Sequence, residues 1–269
     1  MTDYTDDPHA KKHLGQHWLH DAVSLEAMCV AGDVQQGDVV LEVGPGTGTL
    51  TERLLDHGAQ VIAVELDQSL AGNLEQRFAR RNFSLVQQSI LTYDLTALQP
   101  DYKLIANIPY YLTSNLIRTI SESSNQPLNA VLLVQKEVAQ RVAAQPGDMS
   151  LLSVTAQFYW QVSLGPLVPA QLFTPPPKVD SQILILERRA QALFTDAAPK
   201  DYFRLVKAGF SNRRKTLHNS LAAGLRLSRS QIAALLESAG ISPQVRPQEL
   251  SLQEWYALYQ AHSAVRATA

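Results

Sequence analysis

The segment LEVGPGTGTL, residues 41–50, restricts what this chain can fold into more than any other stretch. It closes a β-branched run, DVVLEV at 38–43, and opens TLTERLLDHG at 49–58, whose apolar residues fall at helical intervals before Gly58. Gly44, Gly46 and Gly48 let the backbone turn sharply between the two and let a ligand approach with no Cβ in the way. The pattern then repeats. QVIAVEL (60–66) reads as a strand, and DQSLAGNLEQRFAR (67–80) as a helix with Asp67 as its N-cap. FSLVQQ (83–88), YKLIAN (102–107) and NAVLLVQ (129–135) read as strands, and LTSNLIRTISE (112–122) as a helix. Strand and helix alternating at this spacing predict an α/β fold, a parallel sheet covered on both faces.

Beyond Gln135 the alternation stops. LLSVTAQFYW (151–160) has helical spacing, while VSLGPLV (162–168) and SQILILER (181–188) read as two strands that close the sheet. Between them, FTPPPKVD (173–180) is expected to be a fixed extended loop, because three prolines in a row suit neither a helix interior nor a central strand. Residues 190–199 read as a linker, and helical patterns follow at 200–210, 213–223, 228–239 and 251–262. The expected domains are therefore 1–190 and a helical appendage over 196–269.

With 269 residues and 45% hydrophobic composition, the chain can bury a real core. No apolar run reaches the roughly 18–20 residues of a membrane span, and no basic-then-apolar leader opens the chain, so a soluble cytoplasmic protein is expected. A single cysteine, Cys29, excludes an internal disulfide framework and a multi-cysteine zinc site. Cys29 lies in a stretch rich in Leu, Met and Val and reads as a small core residue. Net charge is −2, so any attraction to nucleic acid must be local.

Glu65 ends the second predicted strand, where an acid accepts hydrogen bonds from ribose hydroxyls. The glycine spacing is G-x-G-x-G, with Thr49 where the dinucleotide fingerprint has its last glycine. Pro45 also removes an N–H that a pyrophosphate would use. Both features favour S-adenosylmethionine over NAD. ANIPYYLTS (106–114) falls at the carboxyl end of the fourth predicted strand, the edge where open α/β sheets bind ligands. An adenine N6 amine is a poor nucleophile because its lone pair is delocalised into the ring. Two acceptors aimed at its hydrogens, the Asn107 oxygen and the Ile108 or Pro109 carbonyl, would draw the nitrogen toward sp³ geometry. Pro109 would hold the carbonyl, and Tyr110 would offer an aromatic face to a base that has left its stack.

KKHLGQHWLHD is similar to a K-x-x-GQNFL-x-D opening, and LEVGPGTGTLT, VELD, NIPYYLTS, LVQKEVAQR, FTPPPKVDS and GFSNRRKTLHNSL follow in a matching order. Through these motifs nearly the whole chain resembles the small-subunit (16S) ribosomal RNA adenine N6,N6-dimethyltransferases. The resemblance implies a Rossmann-like seven-stranded methyltransferase domain with a small C-terminal all-helical domain. It implies S-adenosylmethionine as the cofactor and transfer of four methyls to two neighbouring adenines in a hairpin loop near the 3′ end of the small-subunit RNA, during ribosome assembly. The implied partner is that RNA or a pre-30S particle, with no membrane and a monomeric enzyme. By position, His17, Leu19, Gly44, Gly46, Glu65, Ser89 and Asn107 would bind the cofactor or line its pocket, and Asn107, Pro109 and Tyr110 would serve catalysis. Two of these depart from the family: His17 replaces the Asn of GQNFL, and Ser89 replaces an Asp that accepts from the cofactor's adenine amine. Asp94 lies five residues further on.

Residues 204–229 hold Arg204, Lys207, Arg213, Arg214, Lys215, Arg226 and Arg229 and no acid. In a chain of net negative charge this run reads as an RNA-binding face, centred on Arg213, Arg214 and Lys215 and making 196–269 a helical RNA-binding domain. Lys11, Lys12 and Lys178 would extend it around the mouth of the site, and Phe173 would take the second face of the flipped adenine. Histidines 9, 13, 17 and 20 would stack on one face of a helix. No metal site is expected there, because the segment has no acid beyond Asp21 to support one and the resemblance implies an extended segment. Two other readings share these motifs: a large-subunit RNA adenine methyltransferase, and a ribosome-assembly factor with weak or no activity.

Overall fold

The computed structural model describes residue 11, residues 14–212 and residues 214–267. Its strands are β1 (Trp18–Leu19), β2 (Val39–Val43), β3 (Gln60–Glu65), β4 (Phe83–Gln87), β5 (Lys103–Asn107), β6 (Asn129–Gln135), β7 (Trp160–Val168), β8 (Phe173–Thr174) and β9 (Ser181–Arg188). Its helices are α1 (Ala22–Ala31), α2 (Thr49–Asp56), α3 (Gln68–Phe78), α4 (Thr113–Glu122), α5 (Lys136–Val142), α6 (Leu151–Tyr159), α7 (Pro199–Gly209), α8 (Leu217–Leu225), α9 (Arg229–Ser238) and α10 (Leu252–Ala267).

Seven strands form one sheet in the order β4-β3-β2-β5-β6-β9-β7. From β4 to β6 the pairings are parallel, and β9 returns antiparallel along β6. All five residues of β2 are buried, and β5 and β6 are buried along nearly their whole length. That is why they read as mainly apolar runs rather than alternating ones. The chain moves outward from β2 through β3 to β4, then back to β5 on the other side. The carboxyl ends of β2 and β5 therefore flank a switch point, the place where sheets of this kind leave a crevice. A second, two-stranded ladder pairs Trp18 with Thr174 and Leu19 with Phe173. It ties the N-terminal segment to the start of the proline-rich loop.

The chain divides into two compact units. One is the chain up to Ala139 with Gln161–Arg188, and the other is Gln140–Trp160 with the chain from Arg189 onward. The expectation of an unbroken first domain over 1–190 differs from this division, which places Gln140–Trp160 in the second unit. Met149, Val154 and Phe158 share a core with Tyr202, Phe203, Val206, Leu221 and Trp255. Helical spacing announces that α6 has an apolar face but does not say which core will bury it. The helix expected at 213–223 begins instead at Leu217, with Thr216 as N-cap, and Lys215 N–H turns back to the Asn212 carbonyl at 3.0 Å. Asp67 caps α3 as expected, accepting from Ser69 N–H at 3.0 Å.

Candidate active site

Every residue expected at the glycine loop and the reacting motif falls at the carboxyl edge of the parallel strands. The register sets Val43 beside Val64, so Gly44 and Glu65 emerge together. Asn107 is the last residue of β5. Around them opens a cleft of about 220 Å³ lined by residues 14–19, the glycine loop, Glu65, Leu66, 88–91 and 107–112. Gly46 has φ +58°, and a Cβ there would lie 2.9 Å from the Trp18 ring. Gly48 has φ +84°, and a Cβ would strike Phe78 at 2.8 Å. The first glycine lets the loop pass under the N-terminal segment, and the second seats α2 against α3.

The N-terminal segment is held over this cleft at several points. Lys11 Nζ donates to Asp67 Oδ1 at 2.7 Å, and Gln16 Nε2 donates to Asp67 Oδ2 at 3.0 Å. Thr49 Oγ1 donates to the Leu19 carbonyl at 2.8 Å, and His17 Nδ1 meets the Pro175 carbonyl at 2.7 Å. A carbonyl only accepts, so this His17 nitrogen carries the proton. Burial pushes the Asp67 carboxyl up, but the bonds from Lys11, Ser69 and Gln16 outweigh it and hold the group well below the usual carboxylate range.

The cleft floor is acidic. Glu65 is buried, with Oε1 accepting from Asp67 N–H at 2.8 Å and Oε2 from Gly46 N–H at 3.4 Å. Burial raises its pKa against the pull of those N–H groups. Glu42 is the fourth of the five residues of β2, only 1% exposed, and accepts from Thr51 Oγ1 at 2.6 Å. Burial pushes Glu42 up to about 8, the Thr51 bond lowers it, and the Glu65 charge raises it. Among the described residues neither carboxylate has a cationic side chain as partner. Such a floor fits a ligand whose own positive charge would draw the buried carboxyls into their ionised form. S-adenosylmethionine has a sulfonium and an ammonium, whereas a dinucleotide would add two phosphates to an already acidic cleft. Sequence reasoning passed over Glu42, although a lone Glu inside an otherwise apolar five-residue strand was the visible sign.

At the reacting motif, Asn107 Nδ2 donates to the His17 carbonyl at 3.1 Å. That bond orients the amide and leaves Oδ1 as its acceptor. The Pro109 carbonyl accepts from Leu112 N–H at 2.9 Å, closing the turn Tyr110–Leu112. Of the two carbonyls left open by the sequence, Ile108's is therefore the one with no hydrogen bond among the described residues. Tyr110 OH and Ser181 Oγ lie 2.8 Å apart, and the His17 ring stacks on Tyr110 at 5.9 Å between centroids with 23° between planes. Tyr111, 61% exposed, adds a second ring at the cleft.

Ser89 lines the cleft, and its Oγ accepts from Leu91 N–H at 3.3 Å. Asp94 does not take the missing carboxylate's place: it is exposed and caps its own turn, accepting from Thr96 N–H at 3.0 Å. Leu19 lines the cleft while itself 1% exposed. One expectation for RNA contact is corrected. Phe173 is 3% exposed, paired in the β1–β8 ladder and packed in the core of the sheet unit, so its ring offers no face to a base. Lys11 remains partly exposed while pairing with Asp67. Lys178 is exposed in the sheet unit, and Arg214 and Lys215 are exposed in the helical unit with no ion pair among the described residues. Lys12 and Arg213 lie outside the described residues.

The family model for ribosomal RNA adenine dimethylase matches residues 8–263. Among curated proteins, the chain is 44% identical over 250 residues to the ribosomal RNA small subunit methyltransferase A of Dehalococcoides mccartyi, covering 91% of this chain and 86% of the relative. It is 41% identical over 264 residues to the protein of the same name from Rippkaea orientalis, covering 92% and 96%. Among solved structures, it is similar to a dimethyladenosine transferase from Plasmodium falciparum, with a TM-score of 0.78, 25% identity and coverage of 92% and 98%. It is also similar to the 23S rRNA methyltransferase ErmE, with a TM-score of 0.71, 28% identity and coverage of 91% and 98%.

Proposed function

Because the chain belongs to the ribosomal RNA adenine dimethylase family, we propose that it dimethylates N6 of two adjacent adenines in a hairpin loop near the 3′ end of small-subunit ribosomal RNA. The observation that carries the chemistry is the Asn107–His17 bond, which commits the amide nitrogen and turns Oδ1 into a fixed acceptor at the end of β5. S-adenosylmethionine, when bound, supplies the electrophilic methyl. Gly44, Gly46, Glu65, Ser89 and the 14–19 segment would hold it, and its positive charge would favour the ionised forms of Glu65 and Glu42. Asn107 Oδ1 and the Ile108 carbonyl accept the amine's hydrogens and favour the pyramidal nitrogen that attacks. These dipoles are placed before the reaction, so they act on the transition state more than on the bound base. Tyr110 and the exposed Tyr111 supply aromatic surface for an unstacked adenine, and Pro109 holds the turn that presents them.

The same reading makes the substrate an assembling small subunit, and the chain a monomer acting in the cytoplasm. Lys178 contributes to the RNA contact from the sheet unit, and Arg214 and Lys215 from the helical unit. The test is to incubate under-methylated small and large subunits with labelled S-adenosylmethionine and map the label. Two adjacent dimethyladenines in the small subunit are expected. Label in the large subunit, or RNA binding without label, would replace the proposal with the corresponding alternative.

A further inference from the structure

We propose that Ser181 is a positioning residue for methyl transfer, fixing where the Tyr110 ring sits by holding its hydroxyl. The inference rests on the adenine-methylating reading above and adds to it the role of the proline-rich loop, which that reading leaves without one. Ser181 opens β9, opposite Gln135 of β6, and is fully buried. The strand it begins, SQILILER, is apolar along its core positions. A hydroxyl at such a place costs stability unless it is hydrogen-bonded, and its recorded side-chain partner is Tyr110 OH at 2.8 Å. Burial keeps the Tyr110 phenol protonated.

The other end of the same loop grips the other side of the ring. The Pro175 carbonyl accepts from His17, and the His17 imidazole lies against Tyr110. Thr113 Oγ1 donates to the Tyr110 carbonyl at 3.0 Å, so the backbone of the residue is fixed as well. Tyr110 is thus held at its hydroxyl by a sheet residue, at one face by the N-terminal segment, and at its carbonyl by α4. An aromatic ring anchored only at Cβ can still rotate about its two side-chain torsions. The Ser181 bond fixes the first of them, the stacked His17 ring restrains the second because the hydroxyl lies on its axis, and a rigid strand is the best support for such a bond. Rate is sensitive to such support because a small misplacement of the base relative to Asn107 lowers the fraction of near-attack geometries.

The test is a double-mutant cycle read by single-turnover transfer from labelled S-adenosylmethionine to under-methylated small subunits, with cofactor affinity measured by calorimetry. Ser181→Ala and Tyr110→Phe should each slow transfer about three- to tenfold, the scale of one net hydrogen bond. The double variant should be no slower than either single one, because both remove the same bond. Ser181→Thr, which keeps the hydroxyl, should restore most of the rate. Cofactor dissociation constants should be unchanged throughout, which a general loss of structure would not allow. Full speed in Ser181→Ala, or losses that multiply in the double variant, would overturn the inference. If Ser181→Ala fails to fold, Tyr110→Phe decides, and a wild-type rate there would equally overturn it. An unlabelled wild type would sink the functional reading and this inference together. A labelled wild type with indifferent variants would sink the inference alone.

Discussion

At the scale of single residues, three side chains make separable predictions. Asn107→Ala removes the preorganised acceptor and should slow methyl transfer by about 10²–10³ with RNA affinity nearly unchanged. Near-wild-type single-turnover rates would remove Asn107 from the mechanism. Glu42 is held up at about 8 by burial, so the fold prefers its neutral form. The stability this contributes is fully present below the ordinary carboxylate range and is lost as pH rises through about 8. Glu42→Gln keeps an acceptor for Thr51 and cannot ionise. The variant's Tm should therefore gain on the wild type from about pH 5 to about pH 9 in the ligand-free protein, and parallel curves would refute the assignment. Ser89→Asp adds a charge-assisted acceptor at the cleft and should tighten S-adenosylmethionine binding several-fold by calorimetry. The difference between charged and neutral hydrogen bonds is on the order of 1 kcal/mol. Since Asp94 is engaged elsewhere, weaker binding by the variant would point to a water in the acceptor role.

Among the elements, the N-terminal segment and α3 depend on one carboxylate. Asp67 caps the helix and anchors Lys11 and Gln16, so it couples helix stability to the roof of the cleft. Asp67→Ala should cost about 1–2 kcal/mol in urea unfolding, the usual loss for an N-cap, and should also weaken cofactor binding. Asp67→Asn keeps a capping oxygen but loses the ion pair. It should recover most of the stability while still binding the cofactor more weakly, and equal behaviour of the two variants would separate the segment from the site. The Asp67 carboxyl sits below its usual range, so its contribution is present at neutral pH and lost only as pH falls through that depressed value.

For the whole molecule, the charge distribution matters more than its sum. A net charge of −2 gives no general attraction to RNA, so contact must come from local clusters such as Arg214 and Lys215. Replacing both by Ala should weaken RNA binding and flatten the plot of log affinity against log salt by roughly 0.7–0.9 for each lost phosphate contact. S-adenosylmethionine affinity should stay the same, since the cleft is lined by the sheet unit alone. An unchanged salt slope would mean that these side chains face away from the RNA. Among the described residues no helix is long and apolar enough to cross a membrane.

The sequence by itself determined the sheet unit's alternation and the position of its ligand edge. Glycine loops, caps and apolar runs are local, and their chemistry is written within a few residues of where it acts. Gly44, Glu65 and Asn107 were legible for that reason, each standing at the end of a strand whose pattern was unmistakable. What only the tertiary structure decided were relations between distant residues. Whether α6 joins the sheet or the helices depends on which apolar face is free to cover it. That Lys11 pairs with Asp67 depends on a contact across 56 positions. Phe173 looked available because prolines beside it suggest an exposed loop, yet pairing with β1 turns its ring into the core. Ser181 and Glu42 carried the same lesson in reverse: a polar side chain in or at the start of an apolar strand is visible in the sequence, but its partner is chosen by the fold.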